Sequence, residues 1–149
     1  MLNMLVRTNL LGAIVAVAFY ISAILVFTSR LIGKPEFGHR IGYIEFLLAI
    51  PLVYLLLTAP QLKRPVLYYV QIGLMIAWLL VELLLDYVLK IEFRQVRWAV
   101  IGYVVLFFAG SGGMLGVAAN AGRAWTISAI ILFLAMAVLA FVQRAVTGT

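Results

Sequence analysis

Three acidic residues lie within long apolar stretches of the chain, where a carboxylate is costly to place. They are Glu45, Glu82 and Asp86. An aspartate at the centre of a membrane helix costs about 2.5–3.5 kcal/mol on insertion scales, and such residues usually face the bundle interior or water. Because buried carboxylates exchange protons and bind cations, these three residues form a candidate ion or substrate site.

The spacing of the acids predicts that they meet. Glu82 and Asp86 are one helical turn apart and share a helix face, which continues through Trp78 and Gln71. Glu45 has a similar depth in the preceding apolar stretch, which runs in the opposite direction. We therefore expect the acids to converge in one half of the structure, with at least one of them, Glu82 as the deepest, protonated near neutral pH.

The same acids also have a structural interpretation. Asp86 could pair with Lys90 at the i+4 position, and Glu82 could hydrogen-bond across a helix interface. Glu45 precedes Pro51, which lacks a backbone N–H and predicts a kink. The carboxylate could snorkel to the interface beside that kink, or it could bind a cation together with the carbonyl group that the proline leaves free.

Glycines cluster in the fourth apolar stretch, at Gly110, Gly112, Gly113 and Gly116. Small residues four positions apart allow helices to approach closely, so we interpret this cluster as a packing surface. The alternative is a broken helix whose exposed amides bind an anion or substrate. The spacing does not match a G-x-G-x-x-G phosphate loop.

Five apolar stretches must position these residues, and each is near the roughly 20 residues that cross a bilayer. The predicted fold is all-α, a polytopic membrane bundle of five transmembrane helices in one domain over residues 1–149. The predicted spans are Leu10–Thr28, Ile41–Ala59, Val66–Leu89, Trp98–Ala118 and Ala124–Val142.

The composition supports a membrane protein. Hydrophobic residues make up 66% and charged residues 11% of the 149 residues, against about 45–50% and 25% in soluble domains. This balance excludes a soluble globular domain, a disordered chain and a coiled coil. With no cysteine and one histidine, the sequence also excludes disulfides, bis-histidine haem and a multi-histidine zinc site, so we predict no cofactor and no metal.

The basic residues predict an orientation. One side carries seven Lys and Arg residues and the other carries four, which places the N-terminus outside and the C-terminus in the cytoplasm. The net charge of +6 therefore indicates a membrane surface, here the plasma membrane, rather than nucleic acid. Four bases on the inner side are candidates for binding an anionic lipid or headgroup: Arg40, Lys90, Arg94 and Arg97.

Three functions are compatible with these features. The first is a small proton- or cation-linked transporter or channel that uses the carboxylate site. The second is a non-catalytic accessory or assembly subunit of a membrane complex, and the third is a lipid-headgroup-modifying enzyme. No nucleophile–base pair supports catalysis, so no catalytic residue is assigned. The expected partners are the lipid bilayer and either a second copy of the chain or a larger membrane subunit.

Overall fold

The computed structural model of the chain describes residues 2–90 and 96–147, and the regular structure in these ranges is helical. A six-residue π-helix, Leu83–Val88, continues the fourth helix. The helices are α1 (Leu2–Leu31), α2 (Pro35–Leu47), α3 (Ala49–Thr58), α4 (Val66–Glu82), α5 (Arg97–Ala119) and α6 (Arg123–Thr147).

Within residues 2–90 and 96–147, five helical units are long and apolar enough to cross a membrane, as the sequence predicts. Two of the units are composite, because α2 and α3 form the second and α4 with the π-helix forms the third. The first helix begins at Leu2 rather than Leu10. Hydropathy marks only the apolar stretch, whereas the helix extends through polar residues whose side chains can bond to the backbone. The Thr8 hydroxyl, for example, donates to the carbonyl of Met4 at 2.9 Å.

The second unit is interrupted at Leu48, between α2 and α3. The Leu48 N–H donates to the Glu45 carbonyl at 3.0 Å, which is the tighter i to i−3 spacing. Pro51 lacks an N–H and cannot satisfy the carbonyl four residues earlier, so the helix is weakest here. Pro51 predicts a kink, and the α-helix is interrupted three residues before it, which leaves Glu45 in the last turn of α2.

The third unit ends in the π-helix instead of a regular α-helical turn. The Leu89 N–H donates to the Leu84 carbonyl at 2.8 Å, an i to i−5 bond. Such widened turns are rare and occur frequently at functional sites. The change of helical type begins directly after Glu82, so it alters the direction in which Asp86 and Tyr87 project.

Helix α1 lies at the centre of the bundle and contacts α2, α3, α5 and α6. Its buried face includes small residues such as Gly12, where an added Cβ would come within 2.7 Å of Val117 Cγ1. The buried Tyr20 hydroxyl donates to the Ser111 carbonyl at 2.5 Å and joins α1 to α5. Helix α4 packs mainly on α5, while α6 packs on α1 and α5 and is the least buried unit.

At the opposite end of the bundle, a basic side chain connects two helices. Arg64, in the loop before α4, donates through Nη2 to Asn9 Oδ1 at 2.5 Å and to Thr8 Oγ1 at 3.1 Å. Its guanidinium also lies 4.5 Å from the centre of the Tyr68 ring. Arg64 therefore ties the start of α1 to the start of α4.

Candidate functional site

Glu45 and Glu82 are buried acids near the same end of the bundle, with only 4% and 8% of their surfaces exposed. Glu45 projects from the last turn of α2, and Glu82 is the last residue of α4. Asp86 is half-buried in the π-helix. All three acids line one open space, so the structure brings together the residues that the sequence predicts to converge.

Two adjoining spaces meet at the carboxylates. The first is an open vestibule of about 750 Å³, and the second is a smaller inner cavity of about 110 Å³. Glu45, Glu82, Arg30 and Val26 line both spaces. The two carboxylates therefore stand where a polar opening meets the apolar interior of the bundle.

The Glu82 carboxylate is held by a neighbouring helix. The Tyr103 hydroxyl, from α5, donates a hydrogen bond to Oε2 of Glu82. Asp86 lies within hydrogen-bonding reach of the same carboxyl group. Tyr103 was not among the residues predicted from the sequence. The available signal was a hydroxyl-bearing side chain about one and a half helical turns into the fourth apolar stretch, similar in depth to Glu82.

Glu45 differs from Glu82 because it has no such partner. Within the described part of the chain, no hydrogen-bond donor reaches the Glu45 side chain. The Glu45 oxygens are not fully enclosed by protein and border the open space that the acids line. Glu45 is therefore a group in this site that is available to a ligand.

Arg30 faces both acids from the last turn of α1. It is half-buried, and its charge acts through space on Glu45 and on Glu82. No ion pair of 4.0 Å or less joins Arg30 to either acid among the described residues. In the sequence, Arg30 is one of the seven basic residues on the predicted inner side, and the bundle places it in the wall of the site.

Aromatic rings form much of the remaining wall of the inner cavity. The Trp78 ring lies 5.2 Å from that of Phe107 and 6.2 Å from that of Tyr103, measured between centroids. On the other side, Phe108 and Phe141 stack at 5.7 Å. Trp78 is 4% exposed, and its indole Nε1 is buried without an acceptor. The inner cavity therefore combines aromatic faces with two carboxylates.

A second aromatic group stands beside the vestibule. The ring of Tyr87, in the π-helix, stacks on His39 at 4.1 Å with an interplanar angle of 10°. Its hydroxyl donates to the His39 carbonyl at 2.7 Å. Gly42 makes room for this contact, because an added Cβ would collide with the Tyr87 hydroxyl. No sequence pattern predicts this cluster, because Tyr87 lies in the π-helix.

Of the other two residues predicted for the ion or substrate site, only one lies beside the acids. Trp78 lines the inner cavity with the acids. Gln71 lies more than two helical turns away and packs against Gly113 and Gly116 on α5. It shares a sequence stripe with Glu82, but neither of the two spaces at the acids includes it.

The glycine-rich segment lies within an unbroken α-helix, so the broken-helix alternative does not apply. An added Cβ at Gly110 would lie 3.2 Å from the Leu74 carbonyl oxygen, and one at Gly113 would lie 3.2 Å from Gln71 Cα. Gly116 also faces Gln71. In contrast, a Cβ at Gly112 would meet nothing within 4 Å. The close contact between α4 and α5 thus involves Gly110, Gly113 and Gly116, and it does not involve Gly112.

The predicted headgroup-binding bases lie on the surface. Arg40, Lys90 and Arg97 are exposed. Lys90 lines the vestibule, whereas Arg40 lines a separate surface pocket. Arg94 lies outside the described residues.

Comparisons with known proteins do not identify a relative. No protein-family model, curated protein or solved structure matches the chain.

Proposed function

We propose that the protein is a small membrane transporter that couples movement of its substrate to protons or cations through the Glu45–Glu82 site. The observation that carries the proposal is that both carboxylates line an open vestibule and an inner cavity at once. A carboxylate in that position can exchange its proton or cation with the solution and present it to a substrate inside the bundle.

The opposite half of the bundle favours a transporter over an open channel. Buried side chains fill it on α1, α3, α4 and α5, among them Ala13, Leu55, Ile72 and Met114, all fully buried. A site that is accessible from one end and packed at the other is the arrangement expected of one state in an alternating-access cycle.

The orientation and the membrane are part of the proposal. Five apolar helices indicate a multi-pass membrane protein. The excess of Lys and Arg near the vestibule end favours an N-outside, C-inside orientation, with the vestibule open to the cytoplasm of a cell bounded by the plasma membrane. Assembly into a homo-oligomer or with a larger subunit stays a prediction.

One observation favours a second candidate, the accessory or assembly subunit. The hydrogen bond from Tyr103 to Glu82 joins α5 to α4, and an interhelical bond of this kind can serve packing alone. In that case the acids would lock the helices together and carry no ions. The Glu45 side chain, which has no partner, is the feature that this candidate leaves unexplained.

The experiment that separates the candidates is proton flux in proteoliposomes that contain a pH-sensitive dye. Sodium, potassium and choline gradients are imposed in turn, each with and without a membrane potential. The transporter proposal predicts flux above that of protein-free vesicles and its loss in Glu82→Gln. The glutamine keeps the shape and can still accept the Tyr103 hydrogen bond, so the variant is expected to fold.

The control is Arg123→Gln, a substitution with glutamine at an exposed charged residue at the start of α6, at the end of the bundle opposite the vestibule. This variant should retain the flux of the unchanged protein. Flux no greater than that of empty vesicles under every gradient would contradict the transporter proposal. Equal flux in Glu82→Gln and the unchanged protein would remove Glu82 from the mechanism and favour the accessory role.

A further inference from the structure

The inner cavity is too small for most drug-sized ligands, and its size restricts what can occupy it. Its volume is about 110 Å³. Typical ligand pockets are about 300–1,000 Å³, while an engineered cavity of about 150 Å³ binds benzene. The inner cavity can therefore hold a group somewhat smaller than benzene, with any longer part of the ligand extending into the vestibule.

The chemistry of the wall favours a cation with an apolar surface. Trp78, Tyr103 and Phe107 present aromatic rings, which attract cations through their faces. The carboxylates of Glu45 and Glu82 supply negative charge at one end. A strongly hydrated metal ion would lose its water against such apolar walls, whereas an alkylated ammonium group is weakly hydrated and suits both surfaces.

One acid in the wall lacks a partner of its own. Glu45 is 4% exposed and accepts no hydrogen bond from the described residues. Its oxygens border the cavity and are not fully enclosed by protein. A cationic ligand in the cavity would provide the counter-charge that Glu45 lacks.

The remaining charges decide between a cation and a zwitterion. The cavity is lined by Arg30 from α1 and Arg144 from α6 as well as by the two acids. Arg144 is exposed and Arg30 is half-buried, so water weakens their fields, whereas both acids are buried. Asp86 adds a further acid beside Glu82. When both glutamates are ionised, the three carboxylates outnumber the two arginines, and the field in the inner cavity is negative.

We propose that the inner cavity binds a small tertiary or quaternary ammonium group, between the Glu45 and Glu82 carboxylates and the rings of Trp78, Tyr103 and Phe107. The inference rests on the proposed function, because it names the substrate class of the same site. Binding can nevertheless be measured on the purified full-length protein without any transport.

Three ligands of nearly equal shape test the proposal by calorimetry or equilibrium dialysis. Choline carries a positive charge, glycine betaine is its zwitterionic counterpart, and 3,3-dimethylbutan-1-ol is its uncharged isostere. Choline should bind at least about tenfold more tightly than either of the others, because only choline matches the charge of the cavity.

Two substitutions should shift choline affinity in opposite directions. Glu45→Gln removes negative charge and should weaken binding about tenfold or more, whereas Arg30→Gln removes an opposing cation and should strengthen it severalfold. A gain in affinity cannot arise from misfolding, so Arg30→Gln keeps the test valid if Glu45→Gln is unstable. Trp78→Leu should weaken binding about three- to tenfold through the lost cation–π contact.

Three results would overturn the inference. The first is that choline does not bind, and the second is that the uncharged isostere binds as tightly as choline. The third is that betaine binds more tightly than choline and that Arg30→Gln weakens binding, which would indicate a zwitterion site. The outcome is distinguishable from failure of the proposed function. Choline binding without proton-linked flux would leave a binding site and remove the transporter, whereas sodium- or potassium-linked proton flux without choline binding would do the reverse.

Discussion

The contact between α4 and α5 allows a test with two matched substitutions, Gly110→Leu and Gly112→Leu. At Gly110 an added Cβ would lie 3.2 Å from the Leu74 carbonyl oxygen and 3.3 Å from Met75 Cα. Both neighbours are backbone, which cannot rotate away. The rest of a leucine side chain extends about 2.5 Å beyond Cβ at standard bond lengths, so α4 and α5 would have to move apart. At Gly112 nothing lies within 4 Å of the added Cβ.

The magnitude follows from two opposing effects. Both variants gain roughly 0.5–1 kcal/mol because leucine favours a helix more than glycine does. Only Gly110→Leu overpacks a closely fitted contact, which typically costs about 1–3 kcal/mol. Relative to Gly112→Leu, the free energy of unfolding of Gly110→Leu should therefore be lower by about 1–3 kcal/mol. For a chain of this size, that difference lowers the midpoint of thermal unfolding by about 3–10 °C.

The assay is thermal unfolding of the purified protein in detergent, followed by intrinsic tryptophan fluorescence, with oligomer size measured in parallel. The sequence alone predicts that Gly112→Leu disrupts packing, and the structure assigns that effect to Gly110 instead. Equal unfolding midpoints for the two variants would refute the reasoning from the contact between α4 and α5. A change in oligomer size confined to Gly112→Leu would place Gly112 at a contact between copies.

Two further substitutions test contacts that tie α1 to the rest of the bundle. Tyr20→Phe removes the 2.5 Å hydrogen bond to the Ser111 carbonyl and should lower the free energy of unfolding by about 0.5–1.5 kcal/mol. The same thermal assay measures this change. An unchanged midpoint would mean that the bond contributes nothing. Arg64→Met keeps much of the apolar stem but loses the hydrogen bonds to Thr8 and Asn9. It should lower the free energy of unfolding by about 1–3 kcal/mol and increase amide hydrogen exchange at the start of α1. Exchange equal to that of the unchanged protein would contradict this role.

The sequence by itself determined the class of structure. Long runs of apolar residues can satisfy their backbone only as helices in a bilayer, so composition and spacing are sufficient to predict five helical units. Pro51 likewise predicted an irregularity in the second unit, because a proline has no N–H to donate to the carbonyl four residues earlier. The convergence of Glu45, Glu82 and Asp86 followed from their depth and from the antiparallel direction of neighbouring spans.

Only the tertiary structure decided which helix faces meet. A glycine cluster predicts close packing, but the helix rotation selects Gly110, Gly113 and Gly116 and leaves Gly112 out. Gln71 shares a stripe with Glu82 in the sequence, yet the stripe spans more than two helical turns and its two ends contact different neighbours.

The same limit applies to the partners of the acids. Tyr103 and Arg30 belong to helices distant in sequence from Glu82, and no local pattern fixes which of five apolar helices becomes the central one. The π-helix, which positions Tyr87 against His39 and Gly42, is a backbone adjustment that depends on tertiary packing. Local residue pattern determines helices and depth, whereas the site arises from helix rotation and neighbour choice, which depend on the packing of the whole bundle.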